Sequence, residues 1–203
     1  MPKNRKSRPS AGAAAPPLTV RPLRRNDWPT VEKLFGANGA CGGCWCMWWR
    51  LPVHGKAWRE NKGEPNKRQF RSLIETGELH AVLAFSGKDP VGWLTFGPRT
   101  SFPFLDKSRV LQTGSPEGTW SMVCFYIPSA WRGRGIATML LDAATERAFA
   151  LGAAAIEGYP AVPWSGQMPG AFAYTGVPKL FQKAGYKKIK RPSGMRPVFV
   201  KHP

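Results

Sequence analysis

A mixed α/β domain, one sheet carrying helices, is predicted by two observations. Apolar runs of strand length alternate with segments whose apolar residues recur at helical spacing, and 22 glycines and 20 prolines punctuate a chain of 203 residues. That length suits one domain that buries its own core without disulfides or metals. Hydrophobic residues make up 42% of it, too many for a wholly disordered chain. No uninterrupted apolar run approaches the ~18 residues of a membrane span. The glycines and prolines also exclude a coiled coil.

The elements follow in order. Residues 1–17 form a basic Pro/Ala leader without periodicity, expected to be disordered, and 18–203 form the domain. Residues 18–21 alternate as a short strand. Asn26 and Asp27 offer caps for a helix that starts near Pro29 and ends by Gly36. The stretch 38–50 combines glycines, three cysteines and three tryptophans. Phe70, Leu73 and Ile74 predict a helix over 66–76, with Gly77 as its stop. Two apolar runs, 79–85 and 91–96, flank a turn and read as a hairpin. Residues 97–118 are loop-like, and 119–127 form a central strand. A helix from Ile136 to about Ala150 places Ile136, Leu140, Ala143, Ala144, Ala148 and Leu151 on one face, and Gly152 ends it. Then come a strand at 153–159, a Gly/Pro loop at 160–176 and a short helix at 177–184. A last hairpin joins 186–190 to 196–201 through Pro192, Ser193 and Gly194. The order is that of a mixed sheet with helices on it.

Charge is lopsided. Lys and Arg number 30 against 12 acids, a formal +18. The leader holds Lys3, Arg5, Lys6 and Arg8 and no acid, which leaves +14 for the domain. Such a surface draws polyanions or a highly charged anionic ligand. Three of the four cysteines crowd into Cys41, Cys44 and Cys46, which suits reduced thiols in a cytoplasm better than a secreted framework. The Ala11–Ala15 stretch is too short for a signal peptide.

Residues 132–138, between the central strand and the long helix, carry the chemistry. The first amides of a helix lack intrahelical partners and sit at the positive end of its dipole. Gly133 and Gly135 open the backbone to a ligand, while Arg132 and Arg134 add planar charged forks. The sum is a pyrophosphate cradle that is neither a Walker loop nor a dinucleotide-binding G-x-G-x-x-G.

Arg132-x-x-Gly135-x-Ala137 resembles the acyl-coenzyme A loop of the GNAT N-acetyltransferase superfamily, Q/R-x-x-G-x-G/A. The element order from Leu18 to His202 resembles the same fold. Gly43-Cys-Trp-Cys-Met-Trp-Trp-Arg50, the strand at 120–125, Glu157-Gly-Tyr-Pro160 and Phe172-Ala-Tyr-Thr-Gly176 look like one bacterial branch of it. The resemblance implies a central, mostly antiparallel sheet with a splayed strand pair and flanking helices. It implies acetyl-CoA as co-substrate and a primary amine as acceptor, attacked directly in a ternary complex. Phe125 and Ile127 would pair with the pantetheine arm. Arg132, Gly133, Arg134, Gly135, Ile136, Ala137 and Thr138 would hold the diphosphate. The Phe125 amide would support the oxyanion.

The superfamily often places a tyrosine acid on the last helix, but Phe181 stands in that register and cannot donate a proton. Tyr174 and Tyr126 are the substitutes, and Glu157, at a strand end, is the candidate base. Trp45, Trp48 and Trp49, with Arg50 as an anchor, either wall the acceptor pocket or pack beneath the sheet. His80 reads as a core histidine. No metal is expected, because Cys41, Cys44 and Cys46 have no second ligand pair, only His54 or Cys124.

Two other functions compete. An acyl-CoA-binding member without turnover fits the missing tyrosine. A basic nucleic-acid-binding module fits the charge, with weak electrostatic binding, but leaves the glycine cradle unexplained. The expected enzyme is a cytoplasmic acyltransferase, monomeric or homodimeric, with no membrane contact.

Overall fold

The computed structural model describes residues 16–51, 56–162, 173–191 and 196–203. Most of the leader, His54, most of the 160–176 loop and the turn at Pro192, Ser193 and Gly194 lie outside the described residues.

Among the described residues one sheet holds β1 (Leu18–Pro22), β2 (His80–Ser86), β3 (Asp89–Pro98), β4 (Thr119–Tyr126), β5 (Ala155–Gly158), β6 (Lys187–Lys188) and β7 (Phe199–Lys201). Its order is β1-β2-β3-β4-β5-β7-β6. All neighbours run antiparallel except β4 and β5, which are parallel. Alternation along the strands divides two cores. Leu83 and Trp93 face one layer with α1 (Trp28–Phe35) and α3 (Glu64–Thr76). Val82 and Leu94 face the other, with α5 (Ile136–Ala150) and α6 (Pro178–Lys183).

Two short helices that the sequence did not announce, α2 (Lys56–Asn61) and α4 (Pro103–Lys107), complete the first layer. Too short to display a helical period, they appear in a loop-like stretch. Asp27 does stand at the start of α1, but its side chain caps nothing. It accepts both Arg21 Nη1 at 2.6 Å and Arg21 Nη2 at 2.8 Å, and the Arg24 amide at 2.7 Å. Burial pushes the Asp27 carboxyl up, yet these donors outweigh it and hold it below the usual range. On α5, Leu141 and Thr145 join the buried face. Leu151 is exposed because it lies past the last turn.

The site is positioned by an irregularity in β4. Pairing with β3 steps from Phe96↔Met122 to Thr95↔Cys124 and skips Val123. Val123 is therefore the extra residue of a bulge, which bends the strand. Pairing with β5 ends at Met122↔Gly158, immediately before it. Beyond the bulge β4 stays paired with β3 through Tyr126 but has lost β5, so the parallel pair splays.

Candidate active site

At the splay, β4 leads through a 3₁₀ turn (Ser129–Trp131) to the start of α5. Gly133 and Gly135 have φ of +75° and +78°, the left-handed region that glycine enters freely. Nothing lies within 4 Å of a Cβ built on either, so both faces are open to solvent. The N–H groups of Gly133, Arg134, Gly135, Ile136 and Ala137 have no partner among the described residues. Consecutive amides in this geometry form an anion-binding nest at the positive end of a helix. Arg134 lies over the Trp131 ring at 4.8 Å, and Arg132 Nε donates to the Ile127 carbonyl at 3.0 Å. Both guanidiniums are thereby held at the nest.

Three expectations for this loop change in detail. The Thr138 amide donates to the Gly135 carbonyl at 3.0 Å, so only the exposed Thr138 hydroxyl remains for a ligand. The Ile136 side chain is core, packed on β3 at Gly92, and only its amide faces the nest. Ile127 lies just past β4 and gives its carbonyl to Arg132 rather than to an open strand edge.

A further correction concerns Phe125. Its amide faces away from β3 and donates to the Tyr174 carbonyl at 2.6 Å, so it is not a free strand-edge group. The segment around Tyr174 enters the gap that β5 vacates, and a second bond, Ala161 N–H to the Gly176 carbonyl at 2.9 Å, ties it there. The Tyr174 ring is half-buried, 6.0 Å from Trp49, with Arg196 beside its hydroxyl. Burial pushes the phenol up while Arg196 opposes the shift. Tyr126 is also half-buried and packs edge-on against Phe35 at 5.5 Å.

Phe181 is fully buried among Phe125, Tyr186 and Phe199. Gly158 makes room for it, since a Cβ there would meet the Phe181 ring at 2.1 Å.

Glu157 is 3% exposed and carries a network rather than a free carboxylate. It accepts Arg99 Nη1 at 2.9 Å, Tyr159 Oη at 2.6 Å, Ser115 Oγ at 2.6 Å and Thr113 Oγ1 at 3.3 Å. Ser121 shares the Tyr159 hydroxyl at 2.8 Å, and Asp106 accepts from Arg99 Nε at 3.0 Å. All four donors come from the protein itself, so the carboxylate is engaged within the fold rather than presented to a substrate. Arg99 and Tyr159, which sequence reasoning missed, show that Glu157 braces β5. No local spacing announces a partner 58 residues away.

The tryptophan segment divides. Trp45 and Trp49 are buried in the first core, so of the two alternatives, pocket wall or packing beneath the sheet, these two indoles take the second. Trp45 lies 5.6 Å from Trp28 and 5.7 Å from Phe35, with Lys67 over its ring. Trp48 stays half-buried, 5.0 Å from Trp58 and 5.6 Å from Phe104. Trp49 links this group to the site, 5.2 Å from Phe104. The Arg50 guanidinium stacks over Phe102 at 4.7 Å, and burial lowers it to about 10. Trp45 and Cys46 hold φ of +47° and +53°, which costs roughly 1–2 kcal/mol each. Their buried side chains fix that backbone.

The four cysteines are free. Cys46 Sγ stands 3.3 Å from Cys124 Sγ, and burial pushes the Cys44 thiol up to about 12 and the Cys46 thiol higher than usual. Among the described residues no cluster of three metal-binding side chains forms.

The family model described as Acetyltransferase (GNAT) family matches residues 46–160, more than half of the chain and the whole stretch from the tryptophan segment to β5. The chain belongs to the GNAT acetyltransferase family. Solved structures share the fold of this GNAT chain at low identity. The paia N-acetyltransferase of Thermoplasma acidophilum, in complex with coenzyme A, is 13% identical with a TM-score of 0.53, over 92% of this chain and 99% of that one. A mosquito arylalkylamine N-acetyltransferase, like 5b, is 16% identical with a TM-score of 0.54, over 92% and 100%. The yncA protein of Salmonella typhimurium, with its cofactor acetyl-CoA, is 14% identical with a TM-score of 0.52, over 91% and 93%. No curated protein matches the sequence significantly. Among the described residues no helix is long and apolar enough to cross a membrane.

Proposed function

We propose that this GNAT acyltransferase moves an acetyl group from acetyl-CoA to a primary amine by direct attack in a ternary complex. The observation that carries this reading is the nest of unpartnered amides at 133–137, held at the end of a strand whose outer edge β5 has left. The nest, Arg132 and Arg134 fit a diphosphate, and the β4 edge, once the Tyr174 segment yields it, fits an extended pantetheine arm. The solved relatives with coenzyme A or acetyl-CoA support the same donor.

The reaction then depends mainly on positioning. The Phe125 amide is the candidate oxyanion donor, and to serve as one it must exchange the Tyr174 carbonyl for the thioester oxygen. Tyr174 is the best-placed acid, because its backbone already meets the Phe125 amide and burial keeps the phenol protonated. Tyr126 is its alternate on β4. Glu157 acts by holding β5 and Tyr159 in place. Trp48 and, behind it, Trp49 border the acceptor side. Free thiols fit a cytoplasmic setting.

One second reading has an observation in its favour. Phe181 in the core and the occupied Phe125 amide also suit a protein that binds acyl-CoA without turnover. Thiol release from acetyl-CoA, measured across a panel of primary amines, separates the two. Release that depends on an amine supports transfer, and acetyl-CoA binding without release for any amine supports the second reading.

A further inference from the structure

The end of the sheet opposite the donor nest holds a hollow of about 250 Å³ that the acetyl-transfer reading does not use. Arg24, Arg25 and Arg147 are among the residues that line it, and no Asp or Glu is. None of the three makes an ion pair among the described residues. The neighbouring acid Asp27 accepts its hydrogen bonds from Arg21 and from the Arg24 backbone amide, and faces the Arg24 charge only through space. Arg25 lies flat on Gly77, where its Nε would stand 2.6 Å from an added Cβ, at the C-terminal end of α3. Arg147 occupies the last turn of α5.

A helix end carries only about half a negative charge, so two helix ends do not neutralise three guanidiniums. The floor is different in kind. Leu79 and Phe96 are buried there, and the half-buried His80 ring lies tilted against Trp120, 5.0 Å away. The His80 imidazole makes no hydrogen bond among the described residues.

We infer that this hollow is a second ligand site, for a small organic oxyanion with two or more negative charges and a short apolar body. Guanidinium forks match phosphate or carboxylate oxygens, His80 supplies one further ring N–H, and the floor takes the apolar part. The site is distinct from the nest, because Arg147 follows Ile136 by eleven residues, or roughly 16 Å along α5.

The test uses the full chain carrying Arg132→Gln and Arg134→Gln, which removes the cationic side chains of the donor nest. Inorganic pyrophosphate and citrate are titrated separately by calorimetry at near-physiological salt. Saturable one-to-one binding of at least one is expected, and which one binds distinguishes phosphate from carboxylate sources. Adding Arg25→Gln and Arg147→Gln should weaken that binding at least tenfold. Adding Lys187→Gln and Lys188→Gln instead, an equal loss of charge on exposed β6, should change it less than threefold. The His80 ring resonances should shift during the titration, a readout that needs no pocket variant. No saturable binding, equal weakening by both pairs, or an unmoved His80 overturns the proposal. So does selective loss of duplex DNA binding with neither small anion bound, which makes the face a nucleic-acid contact.

Discussion

Tyr174 brings two groups to one place, a carbonyl on the Phe125 amide and a phenol beside Arg196. If the phenol protonates the departing thiolate, Tyr174→Phe should lower kcat about 10- to 100-fold and leave KM for acetyl-CoA within threefold. An acid works only while protonated, and burial raises this phenol above its ordinary value. Wild-type activity should therefore hold through neutral pH and fall only in strongly alkaline solution, and the variant should lose that alkaline limb. Steady-state kinetics across pH checks both, and an unchanged kcat would remove Tyr174 from the mechanism. At this scale the sequence was informative about types and poor about engagement. Phe181 was legible as an impossible acid, and the cradle glycines were legible from spacing. The four donors around Glu157 were not, because they arrive from Tyr159 just past β5, the 99–101 turn and the 113–115 loop.

The bulge at Val123 does at element scale what no single side chain does, since it turns β4 out of register with β5 and creates the splay. The apolar run of β4 predicted a central strand but concealed this irregularity, because apolar residues on both faces hide a lost alternation. The tryptophan segment shows the same limit. Its composition promised flat walls, but only the folded chain separates Trp49, which is 1% exposed, from the half-buried Trp48. Trp49→Ala should cost roughly 3–5 kcal/mol and lower the melting temperature markedly. Trp48→Ala should keep its melting temperature within a few degrees and bind acetyl-CoA normally, yet raise KM for the amine. Melting curves paired with kinetics decide this. Equal destabilisation by both changes would make the whole segment core.

Across the whole molecule, period-two and helical patterning made the layered α/β architecture readable, and the strand–cradle–helix unit anchored it. The placement of β7 between β5 and β6 was not readable, since strands of two and three residues carry no alternation and their pairing is non-local. The excess charge was readable in amount and not in location: only the fold brings Arg132 and Arg134 to the nest and Arg24, Arg25 and Arg147 to one hollow. Removing residues 1–15 deletes four of the 30 basic side chains. That truncation should leave thiol release unchanged and weaken salt-sensitive binding to DNA, as a filter-binding series against salt would show. The central claim is that the open glycine nest at the start of α5 holds the donor's diphosphate. It is tested most directly by calorimetric titration of wild type and Gly135→Asp with acetyl-CoA. The left-handed backbone at Gly135 makes any side chain there cost roughly 1–2 kcal/mol, a few degrees of melting temperature in a domain this size. The account predicts saturable binding by wild type and at least tenfold weaker binding by a variant that is still folded. Equal affinity in the two proteins, or no binding by wild type, would contradict it.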